Sequence, residues 1–119
     1  MRARRILALL PLLSSCAQPL GNGPVDWDHG ARRGRVLATL DAGAAAPAVQ
    51  ACTGTGVSPA AHYATVRYRG SRLHHTVVAA LPEGGDVRAG DEVELRPPAC
   101  AEGRLARVER VLVVHAEAP

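Results

Sequence analysis

Residues 63–81, YATVRYRGSRLHHTVVAAL, decide the fold class of this chain. From Tyr63 to Arg69 apolar and polar side chains alternate, the period of two that marks a half-buried strand. Gly70-Ser71 suits a two-residue hairpin turn, because glycine supplies the positive φ that a type II′ turn needs first. Closing the hairpin there pairs Arg69 with Arg72, Arg67 with His74 and Val66 with His75. One face then carries Ala64, Val66, Tyr68, Leu73, His75 and Val77. The other carries Thr65, Arg67, Arg69, Arg72, His74 and Thr76.

Shorter strands flank this hairpin. Residues 35–40 (RVLATL) place Val36, Ala38 and Leu40 on one side. Residues 92–96 (EVELR) direct Val93 and Leu95 inward and stop at Pro97-Pro98. Residues 105–114 form a last strand whose alternation changes phase near Arg110, the signature of a bulge or of a buried barrel centre. Five short strands with turn signals between them predict an all-β domain over residues 35–119, a five-stranded meander or small barrel. The Ala/Gly-rich insert, residues 41–61, is either a short helix over 45–52 with Pro47 in its first turn or an irregular loop held by Cys52.

The chain opens MRARRILALLPLLSSC. Arg2, Arg4 and Arg5 make a positive head. Residues 6–13 are apolar, long enough for a signal-peptide core and far short of the ~20 residues that span a bilayer. Leu13-Ser14-Ser15-Cys16 resembles the lipobox of bacterial lipoproteins. That resemblance implies that residues 1–15 are removed, that Cys16 is acylated, and that residues 16–34 tether the domain. Ala17 after the cysteine resembles the outer-membrane sorting pattern of a Gram-negative lipoprotein. Ser15 and Ala17 also admit a cut after Ala17, which would give a secreted or periplasmic soluble protein. A Gly-Arg-Val strand (34–36), the insert (41–61), a tyrosine-flanked hairpin strand (63–69) and a Gly-Asp-x-Val strand (90–93) occur in the order seen in SlyB-type glycine-zipper outer-membrane lipoproteins. The insert here lacks their glycine-every-four repeat and contains Pro47 and Pro59.

Charge excludes one partner class. The net charge of +3 rests on three arginines of the leader; from Cys16 onward arginines and acidic residues balance, so bulk basicity gives no nucleic-acid signal. Of the three cysteines, Cys52 and Cys100 remain after Cys16, and in an exported protein such a pair predicts a disulfide. His74 and His75 are adjacent on a strand and leave opposite faces, so they do not share a metal ion. Thr53-Gly54-Thr55-Gly56 lacks the strand–helix context of a phosphate loop. No nucleophile–base set or carboxylate pair stands out. No cofactor is implied.

One patch points to chemistry. Arg67, Arg69, Arg72 and His74 share the polar face of the hairpin, and guanidinium forks suit phosphate or carboxylate groups. The bland alternative is that they keep an exposed sheet edge soluble. The reading that results is a lipid-anchored envelope protein with a structural or interaction role and an anionic envelope component, or an envelope protein, as partner. The alternative is a periplasmic module holding a small ligand or metal in a barrel mouth, with an enzyme third. A core filled by valine, leucine and alanine favours the first; a polar cavity favours the second.

Overall fold

The computed structural model describes residues 24–114. Cys16 and the lipobox lie outside the described residues. Five strands, β1 (Arg32–Leu40), β2 (Tyr63–Arg69), β3 (His74–Ala80), β4 (Glu92–Arg96) and β5 (Ala106–Val113), close into a barrel in the order β1-β2-β3-β5-β4. It is not a meander. β1 pairs antiparallel with both β2 and β4, and the barrel is closed by a short parallel contact between β3 and β5, at Ala79↔Ala106 and Ala80↔Arg107. That contact covers only the end of β3, so residues 74–78 are paired on the β2 side alone.

The interior is apolar and filled. Val36, Ala64, Val66, Ala79, Val87, Val93, Leu95, Ala106 and Val108 form one buried cluster, with Tyr68, Val77, Leu81 and Val111 packed against it. Ala64, Val66, Tyr68 and Val77 of the hairpin and Val93 and Leu95 of β4 serve the core as alternation selects. Leu73 and His75, expected on the same face, are exposed at the turn end of the hairpin.

Three expectations change. The hairpin slides by two residues: Arg69 pairs with His74, Tyr68 with His75 and Val66 with Val77. The turn therefore spans residues 70–73, closed by the Gly70 N–H on the Leu73 carbonyl at 2.8 Å. A slip of two preserves both faces, which is why alternation alone did not determine it. On β1, the pairs Val36↔Val66 and Ala38↔Thr65 leave Leu37 unpaired as a bulge. The bulge reverses the facing of the strand. Val36 enters the barrel, whereas Leu40 packs outside it with Tyr63, Ala45 and Val49. Finally, residues 24–34 are not tether. Val25 and Ala31 are buried against Leu112, Trp27–His29 form a 3-10 turn, and β1 already begins at Arg32.

The expected phase change of the last strand is present. β5 breaks register twice against β4, on either side of Arg110. Val108 and Val111 thus serve the barrel while Leu112 turns outward under Val25 and Ala31.

Of the two readings of the insert, the helix is realised: α1 spans Ala42–Thr53. The Asp41 side chain caps it by accepting from the Ala44 N–H at 2.8 Å, and Gly54 ends it at φ 77°. Pro47 lies beyond the first turn and deprives the Gly43 carbonyl of its helical donor. Only Ala45 and Val49 of α1 are buried. The Cys52–Cys100 disulfide, with Cα atoms 4.6 Å apart, joins the helix to the 3-10 turn Cys100–Glu102 after β4.

Candidate functional site: a cationic groove on the barrel wall

A groove of about 680 Å³ runs over the outer wall where β1, β2 and β3 meet. Alternation builds its floor. With Gly34 and Val36 inward, Arg33 and Arg35 project outward from β1; with Val66 and Tyr68 inward, Arg67 and Arg69 project from β2. Arg35 lies directly across from Arg67, and Arg69 directly across from His74. Gly34 is required by the interior: a Cβ there would stand 2.7 Å from Val66 Cγ1.

The charges are unevenly matched. Among the described residues Glu92 is the one carboxylate lining the groove, and it is held by Arg33 at 2.7 Å and by Arg35 at 3.5 Å. Arg67 and Arg69 are exposed and make no ion pair or side-chain hydrogen bond with any described residue. Among the described residues, five arginines, Arg32, Arg33, Arg35, Arg67 and Arg69, therefore line the groove with one carboxylate. β2 is hydrogen-bonded on both sides, so these arginines do not protect a sheet edge.

Apolar side chains border the cations. Trp27 is 53% exposed, with the Arg32 guanidinium 5.8 Å from its ring centre. Leu37, the bulge residue, is 44% exposed, and both residues line the groove. Leu73, at the hairpin turn beside His74, is 67% exposed.

Of the residues singled out from sequence, Arg67, Arg69 and His74 come together. Arg72 sits in the 70–73 turn and does not line the groove. Arg33 and Arg35 join the patch unforeseen. Their signal was the alternation of RRGRV, which places both on one face, but only the β1–β2 pairing brings that face beside Arg67. His75 leaves the opposite face and meets the Tyr68 ring with centroids 5.4 Å apart. Among the described residues, no three His, Cys, Asp or Glu side chains form a cluster that could hold a metal ion.

A second polar constellation lies on the wall formed by β4 and β5. Glu94, 5% exposed, accepts from the Asp26 N–H at 2.8 Å and from Arg110 Nε at 2.6 Å. Arg96 donates to the His29 carbonyl and to Asp26, and pairs with Glu109. Arg110 also donates to the Pro24 carbonyl. Burial pushes the Glu94 carboxyl upward, but the Asp26 N–H and Arg110 outweigh it, so the group ends below its ordinary value. Hydrogen bonds from His29 and Arg96 hold Asp26 low against a smaller opposing effect of burial, and Asp26 in turn raises Arg96. These contacts fasten residues 24–31 to the barrel and thereby place Trp27 at the groove.

No family model, curated protein or solved structure matches this chain. Its function is argued from the site alone.

Proposed function

We propose that the protein is a lipid-anchored envelope protein, acylated at Cys16, whose barrel binds anionic groups on its outer wall. Its role is interaction, not turnover. The observation that carries this reading is the cationic groove: on a strand paired on both sides, Arg67 and Arg69 stand without ion partners among the described residues, beside Arg33 and Arg35. Guanidinium forks present paired donors to phosphate and carboxylate oxygens. The filled interior supports an outward-facing interaction surface over a ligand held in the barrel mouth. The anchor itself rests on the lipobox resemblance at residues 13–16.

Two measurements test the two halves. Cys16→Ser should convert a membrane-bound, processed protein into one that is unprocessed or soluble, and unchanged fractionation would refute the anchor. Arg67→Gln with Arg69→Gln should weaken binding to envelope fractions and flatten its salt dependence. Unchanged binding at low ionic strength would refute the groove as the binding surface.

A further inference from the structure

We propose that the groove docks onto the bilayer itself, with the arginines on anionic lipid headgroups and Trp27, Leu37 and Leu73 dipping into the interface. This deepens the reading above and rests on the lipid anchor it assumes.

Three observations converge on a membrane surface. The first is the company the arginines keep. A peptidoglycan carboxylate calls for cations alone, whereas exposed Trp27 and Leu37 line this groove, and exposed Leu73 stands at the hairpin turn next to His74, which lines it too. Arginine beside tryptophan and leucine is the composition of an interfacial contact, where aromatic and aliphatic groups enter the headgroup boundary and cations meet phosphate. The second is charge complementarity: among the described residues, five arginines line the groove with a single carboxylate that Arg33 already engages. A leaflet bearing anionic lipids attracts basic residues by about fivefold in partitioning for each arginine near the surface.

The third is the chain outside the structure and the point where it enters. Described residues begin at Pro24, eight residues beyond Cys16. Fully extended, that stretch reaches no more than about 30 Å. An acyl group on Cys16 therefore holds the barrel within one domain diameter of the bilayer. Pro24 is fixed to the barrel by Arg110, and Trp27 follows three residues later at the groove. So short a leash raises the effective concentration of headgroups at the groove to the millimolar range, where weak contacts suffice.

Trp27 is the only tryptophan in the chain and is the natural reporter. The full-length acylated protein is reconstituted into vesicles of phosphatidylcholine alone, and of phosphatidylcholine with one third phosphatidylglycerol. Emission is recorded with and without a headgroup-labelled nitroxide lipid as quencher. The expected result is a blue shift and strong quenching in the anionic vesicles only, reversed by molar salt. Arg67→Gln with Arg69→Gln should lower the docked-to-undocked ratio by roughly 25-fold, and Leu73→Ser should reduce quenching while leaving the salt dependence in place. Equal emission and quenching in the two vesicle types would overturn the proposal, as would a double arginine variant that docks like the parent. A Trp27 response to solubilised envelope protein but not to anionic vesicles would also overturn it, in favour of an acidic protein partner. Failure of the anchor is read separately: Cys16→Ser protein that still sediments with neutral vesicles would refute lipidation as the attachment, whatever Trp27 reports.

Discussion

Breaking the Cys52–Cys100 bridge is the perturbation whose size the fold defines best. The bridge runs from the C-terminal end of α1 and closes a loop with a sequence separation of 48 residues that contains β2, β3 and β4. In the chain-entropy model a cross-link of that span removes about 4 kcal/mol of conformational freedom from the unfolded chain. Little else holds α1 in place, since it buries only Ala45 and Val49 and contains both Gly43 and Pro47. For a domain of this size each kcal/mol moves the melting temperature by about 4–8 °C, so the full effect corresponds to roughly 15–30 °C. The assay is thermal unfolding with and without reductant, alongside the Cys52→Ser/Cys100→Ser variant, which should melt with the reduced protein. Hydrogen exchange distinguishes where the loss falls: α1 should lose protection first, because the buried barrel cluster contains none of its residues. A melting temperature that drops by less than about 5 °C on complete reduction would refute the reasoning. It would mean that helix packing, not the cross-link, keeps the insert on the wall.

Other outcomes follow from single contacts. Glu94→Ala leaves the Asp26 N–H and the Arg110 guanidinium short of a buried acceptor and should cost about 2–4 kcal/mol in denaturant unfolding; Glu94→Gln, which can still accept from Asp26, should cost less. Glu94 and Asp26 both titrate below their ordinary values when folded, so their stabilisation is present above the normal carboxylate range and is lost as pH falls through the folded values. Stability measured from neutral pH downward should stay level and then fall below about pH 4.5, and Glu94→Gln should flatten that fall. Gly34→Ala places a methyl 2.7 Å from Val66 Cγ1 and 3.3 Å from the Arg67 carbonyl and should destabilise by about 1–3 kcal/mol, whereas Gly56→Ala, with open space around it, should be near neutral.

By itself the sequence determined where strands lie and which residues face the core in β2 and β4, because alternation reports the pleat directly; in β3 it selected Val77 but also His75, which is exposed. It also determined the disulfide, since two cysteines are left once Cys16 is set aside, and it removed bulk basicity as a functional signal. Whether residues 41–61 form a helix was open; the local evidence that decides it, the Asp41 cap and the Gly54 stop, was there but weakened by Gly43 and Pro47. Only the tertiary structure decided the rest. The hairpin register could slide by two without moving a side chain to the wrong face, so alternation carried no information about it. The Leu37 bulge sends Leu40 out of the barrel, and an unpaired residue is visible only once a partner strand exists to count against. Glu94 reads as an ordinary outward glutamate on β4 until residues 24–31 cover it. The groove depends most on closure. Arg35 and Arg67 lie 32 positions apart and meet because β1 pairs with β2. That contact is long-range, and no local pattern of charge encodes it.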